Sequence, residues 1–237
     1  MQRVLIGTLL GLIVATSAQA DSLNVQAAQG PNLIANGNFE AGSTGFTTDY
    51  LLDPSALYDP GVVGVIDNPS SYHPSWVNMG DHTSGNGLAL AINGSQTRDQ
   101  VAWRSNTFLI DQGKDYLFEA FAANMCCSDY PREFAGGILR FLITINGITS
   151  VLAGGITDGP GVWGSLTANY AALESGLAYI SLVNMNGMYD SNDTLVDDIS
   201  FTTTAASPVP EPASMVLLGT GLLGVAGAVR KRRKAQR

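Results

Sequence analysis

The chain has 237 residues, of which 45% are hydrophobic and 14% charged, and its net charge is −8 at pH 7. That length is enough for one domain with a substantial core. Seven of the 12 Lys and Arg residues lie in residues 1–20 and 230–237, so residues 21–207 hold five cations against 19 acids, a net charge of −14. A body this acidic repels phosphates, which excludes a role in nucleic-acid binding.

The first 20 residues have the pattern of a secretory signal peptide. Arg3 supplies the positive start, residues 4–14 are apolar, and Ala18-Gln19-Ala20 is a cleavage site of the A-x-A type. The apolar stretch of 11 residues is too short to span a membrane as a helix. The pattern predicts export by the Sec machinery and a mature chain that begins at Asp21.

Residues 21–204 contain many short runs of β-favouring residues that are separated by turn residues. From residue 139 onward, Leu139, Phe141, Ile143 and Ile145 share one face of a strand, and Arg140, Thr144 and Asn146 share the other. Asn146-Gly147 then favours a type I′ hairpin into residues 148–152. Further predicted strands are 62–67, 87–92, 101–110, 116–123, 162–171, 176–185 and 194–203. The pattern predicts an all-β fold, a sandwich of two sheets.

The chain lacks the sequence motifs of common catalytic sites. It has two histidines, His73 and His82, and neither G-x-S-x-G nor H-E-x-x-H occurs. Asp81-His82-Thr83-Ser84 is one short segment, whereas the members of a catalytic triad converge from separate segments. We therefore predict that the protein is not an enzyme.

Two adjacent cysteines, Cys126 and Cys127, are unusual in an exported protein, because an oxidising compartment disfavours free thiols. Neighbouring Cα atoms are about 3.8 Å apart, below the usual disulfide range of about 4.4–6.8 Å. Three interpretations stay open: a strained vicinal disulfide, intermolecular cross-links, or two reduced thiols. We favour the vicinal disulfide, which beside Tyr130 would offer a flat platform for a sugar ring.

The C-terminal part of the chain combines a proline-rich linker (205–212), an uncharged apolar segment (213–229) and a basic tail (230–237). As a helix, the apolar segment would be about 25 Å long, near the lower limit for a single transmembrane helix. The basic tail crosses a bilayer at high cost and is expected to stay in the cytoplasm. The pattern predicts one C-terminal membrane anchor.

The linker ends in Val209-Pro210-Glu211-Pro212, and the order of this motif, the Gly-containing apolar segment and the basic cluster resembles the PEP-CTERM domain. That domain is a C-terminal sorting signal of exported proteins in Gram-negative bacteria. The resemblance implies that an exosortase in the inner membrane recognises the motif and cleaves near it. The body would then reach the periplasm, the outer surface or the extracellular matrix.

Two motifs at the ends of the body, Asn32-Leu-Ile-Ala-Asn-Gly-Asn-Phe-Glu40 and Leu195-Val-Asp-Asp-Ile-Ser-Phe201, resemble the first and last strands of galactose-binding-like jelly rolls. Carbohydrate-binding modules belong to this group. The resemblance implies a jelly-roll sandwich in which the two motifs are neighbours and enclose a structural calcium held by Glu40, Asp197 and Asp198. Strand alternation places Asp197 on the face of Ile199 and Phe201 and Asp198 on the opposite face, so we expect one of the two aspartates to be a ligand.

A carbohydrate-binding module needs exposed aromatic rings, and Tyr72, Trp76, Trp103 and Tyr130 lie in or beside predicted loops. They are the candidate ligand-binding residues, whereas Trp163 is expected in the core. Two functions stay open. One is a carbohydrate-binding module that holds polysaccharide in the envelope or exopolysaccharide matrix, and the other is a structural or interaction protein of the biofilm with no glycan ligand.

Overall fold

The computed structural model of the protein describes residues 29–127, 138–157, 159–185 and 192–204. Within these ranges no helix is long and apolar enough to cross a membrane. The predicted signal peptide, linker, membrane segment and basic tail lie outside the described residues, as does Tyr130. The described residues all belong to the body of the chain.

Twelve strands of the described residues form two sheets of six strands each. Sheet A consists of β1 (Phe46–Thr47), β5 (Val101–Ser105), β6 (Phe108–Ile110), β8 (Ile138–Ile145), β9 (Ile148–Ile156) and β11 (Gly176–Asn184). Sheet B consists of β2 (Leu51–Leu52), β3 (Val62–Ile66), β4 (Ala89–Asn93), β7 (Asp115–Asn124), β10 (Trp163–Ala171) and β12 (Thr194–Thr203). The order is β1-β5-β11-β8-β9 in sheet A, with β6 also beside β11, and β10-β7-β12-β4-β3-β2 in sheet B.

The main hydrophobic core lies between the two sheets. Large side chains with at most 1% exposure fill it, among them Trp103 and Phe141 from sheet A and Phe118 and Phe201 from sheet B. The ring of Phe118 contacts that of Phe141 across the sandwich, with centroids 4.8 Å apart. This packing confirms the predicted all-β sandwich.

The hairpin of β8 and β9 shows how the sequence pattern sets the strand faces. Leu139, Phe141, Ile143 and Ile145 are all buried, and Arg140 between them is exposed, as the alternation predicts. Asn146 and Gly147 both have positive φ, 48° and 86°, which a type I′ turn requires. Ile145 pairs with Ile148 directly across this two-residue turn.

The two end motifs lie side by side, as the resemblance implies. The side-chain oxygen of Asn32 accepts hydrogen bonds from the backbone N–H groups of Phe201 and Ile34, and its amide donates to the carbonyl of Ile199. The N–H of Ile199 in turn donates to the carbonyl of Gly37 at 2.8 Å. The first motif is thus hydrogen-bonded to the last strand through its loop backbone and the side chain of Asn32.

The faces predicted for Asp197 and Asp198 are wrong, because β12 contains a β-bulge at this point. The pairing of β12 with β7 shifts between Asp197 and Ser200, and Asp198 has a positive φ of 49°. The extra residue changes which face later side chains occupy. Ile199 and Phe201 therefore point into the core between the sheets, whereas Asp197 stays on the outer side of sheet B, with Leu195.

Candidate functional site

The outer side of sheet B is largely covered by the segment that includes the short 3-10 helices Pro54–Ala56 and Pro69–Ser71. Leu57 and Trp76 from this segment pack on Ala89, Ala91 and Leu195 in a second buried cluster. We call this side the covered face. Proline at the start of each 3-10 helix and a capping side chain, Asp53 or Asn68, fix the local geometry.

Two of the predicted ligand-binding aromatics, Trp76 and Trp103, are buried in the structure. Trp76 is 2% exposed in the second cluster, and its Nε1 donates to Oδ2 of Asp193 at 2.8 Å. Trp103 is 1% exposed in the main core. Neither ring presents a face to a ligand in this structure. Tyr72 is half-buried and packs against the second cluster, and Trp163 is also half-buried there, outside the main core where it was expected.

The structure joins Cys126 and Cys127 by a disulfide, at the end of β7. Cys126 is buried in the second cluster, and Cys127 is half-buried against it. The backbone N–H of Cys126 donates to Oδ1 of Asn124, and Cys126 forms an isolated β-bridge with Trp76. The pair thus helps to attach the covering segment to sheet B. Because Cys126 is buried, the disulfide offers little surface on which a sugar ring could stack.

An acidic pocket of about 430 Å³ lies on the covered face where the end motifs meet. The predicted metal ligands Glu40, Asp197 and Asp198 all line it, together with Asp81, which the sequence reasoning missed. Glu40 accepts a hydrogen bond from the backbone of Leu88, which holds it near Asp81. A side chain at Gly87 would collide with the carboxylates of both Glu40 and Asp81. Glycine at this position therefore lets the carboxylates approach one another.

The two buried aspartates of the pocket have opposite pKa shifts. Burial raises the pKa of Asp81, but hydrogen bonds from Gly87 and Ser84 outweigh it and lower the pKa to about 2. Asp197 is 1% exposed, and burial raises its pKa to about 7, against hydrogen bonds from the backbone of His82 and Asp198 and with the help of the charges of Asp198 and Asp81. Burial therefore outweighs the hydrogen bonds at Asp197, whereas the hydrogen bonds outweigh burial at Asp81.

Asp198 is engaged differently from Asp197. Its Oδ2 lies 2.8 Å from Nδ1 of His82 and accepts a hydrogen bond of 2.6 Å from Thr83. The ring of His82 stacks on Phe121 with centroids 3.6 Å apart. Asp198 thus faces the loop of His82 and Thr83, whereas both oxygens of Asp197 accept backbone hydrogen bonds, from His82 and Asp198.

The donor set fits calcium in kind, because carboxylate oxygens are the ligands it prefers. Within the described part of the chain, however, no three Asp, Glu, His or Cys side chains are grouped closely enough to hold a metal ion. A signal for Asp81 existed in the sequence. Asp81 starts a turn that is closed by Gly85 and Gly87, and both its oxygens accept hydrogen bonds within that turn.

The outer side of sheet A is open in part, since Thr144, Ser181 and Val183 are buried there whereas other side chains are exposed. We define the open face by seven residues that alternate with core residues along β5, β8, β9 and β11: Arg104, Arg140, Leu142, Thr144, Val151, Leu177 and Tyr179. Leu177 is 57% and Val151 62% exposed. The guanidinium of Arg104 lies over the ring of Tyr179, 5.6 Å from its centroid, and Thr144 is the cross-strand neighbour of Tyr179. Thr144 is buried, whereas Tyr179 and Arg104 are half-buried, so the accessible part of this face combines an aromatic ring, a guanidinium group and the exposed Leu177 and Val151.

Comparison with known families identifies the C-terminal segment. Residues 208–233 match the PEP-CTERM protein-sorting motif. The chain carries a sorting signal. The matched residues include the predicted Val209-Pro210-Glu211-Pro212. The motif implies an exported protein that is anchored at its C-terminus before processing. No curated protein matches the chain significantly.

Solved structures with a similar fold include carbohydrate-binding modules. The CBM22-1–GH10 part of a Clostridium thermocellum endo-1,4-β-D-xylanase, complexed with xylohexaose, has a TM-score of 0.45 and 14% identity over 78% of this chain and 30% of that one. The CBM22-1 xylan-binding domain of Paenibacillus barcinonensis has a TM-score of 0.45 and 14% identity over 76% and 99%. TmCBM61, complexed with β-1,4-galactotriose, has a TM-score of 0.44 and 14% identity over 72% of this chain and 97% of that one. The chain spans less than a third of the xylanase structure.

Proposed function

We propose that the protein is a non-catalytic carbohydrate-binding β-sandwich that acts at the cell envelope or in its exopolysaccharide matrix. An exosortase would recognise the motif at 209–212 and release the body from the inner membrane. The observation that carries the proposal is the open face, where Tyr179 lies beside the half-buried Arg104 on the same surface as the exposed Leu177 and Val151. Sugar rings have apolar faces and hydroxyl edges, and such a surface complements both.

The architecture of the face suits a chain-like ligand. The cross-strand neighbours Tyr179 and Thr144 lie on adjacent strands, and the hydroxyls of Thr144 and Thr149 are hydrogen-bonded at 2.8 Å. Thr144 is buried and Thr149 is exposed, so rigid strands hold the ring and the Thr149 hydroxyl at fixed positions, which lowers the entropy lost on binding. Leu177 extends the apolar surface along β11 beside Tyr179.

The surroundings of both histidines support a non-catalytic role. His73 is stacked between Tyr58 and Trp76, with ring centroids 4.7 and 5.0 Å away, and burial lowers its pKa. His82 is stacked on Phe121 and paired with Asp198. Both rings thus have packing roles, and the proposal assigns neither of them to catalysis.

Affinity electrophoresis in gels that contain different polysaccharides tests the proposal. The panel includes xylan and β-1,4-galactan, neutral glucans and acidic exopolysaccharides. We expect at least one polysaccharide to retard the protein, and oxidative footprinting in its presence to protect Tyr179 and Leu177. Absence of retardation by every polysaccharide would contradict glycan binding and favour the structural or interaction role.

We further propose that calcium stabilises the acidic pocket. Glu40, Asp81 and Asp197 line the pocket and would supply carboxylate oxygens to the ion, which would draw them closer together than they lie in this structure. In this account the metal has a structural role and takes part in no reaction. It would join the loop that contains Asp81 to the first and last motifs of the body.

Thermal unfolding at pH 7 with excess calcium or with chelator tests this second proposal. Calcium at about 100 times its dissociation constant should stabilise the protein by about 2.7 kcal/mol, which raises the unfolding temperature by several degrees. Asp197→Asn should abolish this response, whereas the exposed Asp59→Asn should keep it. Equal unfolding temperatures with calcium and with chelator would refute the calcium site.

A further inference from the structure

The strands of the two sheets carry opposite charges. The six strands of sheet A contain Arg104 and Arg140 and no Asp or Glu. The six strands of sheet B contain Asp115, Glu119, Asp197 and Asp198 and no Lys or Arg. This separation occurs in a body whose net charge is −14. Every strand-borne cation therefore belongs to the sheet whose outer side is open.

Both arginines lie on the outer side of sheet A, on the two strands that flank β11. Arg104 pairs with Ser181, and Arg140 pairs with Val183 two residues further along β11. Two strand spacings and two residue rises separate the Cα atoms by about 12 Å. At that separation the two guanidinium groups can contact different sugar residues of one polysaccharide chain.

The surroundings of Arg140 leave room for a ligand. Arg140 is exposed, and its cross-strand neighbour on β9 is Gly154, which has no side chain. A Cβ at Gly154 would lie 3.1 Å from the carbonyl oxygen of Leu139, closer than ordinary contact, so the sheet disfavours a larger residue there. The space beside the guanidinium is thus a consequence of the local backbone packing.

Neither arginine is neutralised by a carboxylate in the described part of the chain, where the ion pair between His82 and Asp198 is the one observed. Arginine binds a carboxylate through two parallel hydrogen bonds to its two charged oxygens. A neutral hydroxyl group does not offer this pair of charged acceptors. We propose that the open face selects acidic polysaccharides, with Arg104 and Arg140 binding the carboxylates of uronic acid residues. This inference rests on the proposed function and specifies its ligand class.

The net charge of the body opposes the approach of an acidic polysaccharide at long range, as it does that of nucleic acid. The acids carried by strands lie on sheet B, across the core from the two arginines, and stacked sheets are about 10 Å apart. Contacts with the two arginines, where opposite charges are closest, therefore have to outweigh this repulsion, and added salt should weaken those contacts.

Matched pairs of polysaccharides test the inference: polygalacturonate, alginate and hyaluronan, each against its carboxyl-reduced form, with the full-length protein. We expect at least one acidic form to bind about tenfold more tightly than its reduced form, and salt to decrease this ratio. Arg140→Gln should bring the ratio close to one. The matched control Arg98→Gln removes an exposed charge from a loop outside the sheets and should leave the ratio unchanged.

Each outcome separates the inference from the proposed function. If neutral polysaccharides bind and acidic ones bind no better, acid selectivity is refuted and carbohydrate binding stands. If no polysaccharide of either kind binds, both are refuted. If Arg98→Gln lowers the ratio as much as Arg140→Gln, the selectivity comes from overall charge and the assignment to the open face is overturned.

Discussion

The two outer sides of the sandwich differ in what lies over them. On sheet B, the segment around Leu57 and Trp76 covers the strands and buries a second apolar cluster. On sheet A, Leu177, Val151 and the edge of Tyr179 remain accessible. The same kind of antiparallel strand thus serves stability on one side and is available for recognition on the other. The covering segments, more than the strands, determine which side can bind a ligand.

The largest difference between the sides should appear when the same side chain is removed from each. Leu57 is fully buried in the second cluster, so Leu57→Ala should lower the free energy of unfolding by about 2–5 kcal/mol. Leu177 is mostly exposed, so Leu177→Ala should change it by at most about 0.5 kcal/mol. Urea denaturation of both variants measures the contrast. Equal losses of stability would show that the outer side of sheet A is also covered.

A smaller effect is expected from the buried Asp197 of the covered face, when the free energy of unfolding is measured against pH in the presence of chelator. Because its folded pKa is raised to about 7, the stability contributed by protonated Asp197 is fully present below about pH 4 and is lost as the pH rises through 7. The slope is at most about 1.4 kcal/mol per pH unit. Asp81, whose pKa is lowered to about 2, acts in the opposite sense and loses its contribution only below about pH 4.

Asp197→Asn should therefore flatten the stability profile between pH 4 and 7 relative to the natural protein. Asp59→Asn is the matched control, since Asp59 is exposed. An unchanged slope in the Asp197→Asn variant would mean that Asp197 is already ionised at pH 4. The pocket would then hold its charge without a cation.

The sequence predicted the sandwich because strand faces and turns depend on local patterns, whereas the pairing of the end motifs was implied by their resemblance to galactose-binding-like jelly rolls. Alternation along residues 139–145 determined the faces of β8, and Asn146-Gly147 determined the hairpin. The faces of Asp197 and Ile199 were predicted incorrectly, because a bulge adds one residue without a recognisable local signature. A strict period of two cannot anticipate that shift.

The aromatic ligand candidates show a different limit. Trp76 lies in a loop segment by sequence, but the loop folds back on sheet B, and only this non-local packing buries its ring. Tyr179 was overlooked because it lies within a predicted strand. It could have been found, since Leu177, Tyr179 and Ser181 alternate with three small or aliphatic residues that face the core.

The most direct test of the account compares two tyrosines on opposite sides of the sandwich. Tyr179 lies on the open face under Arg104, whereas Tyr58 is 63% exposed and stacked on His73 beside the covered face. Affinity for a retarding polysaccharide should fall at least about tenfold in Tyr179→Ala, about 1.4 kcal/mol, with a thermal unfolding measurement to verify folding. Tyr58→Ala should bind as the natural protein does. Loss of binding in Tyr58→Ala, with binding retained in Tyr179→Ala, would contradict the assignment of the open face.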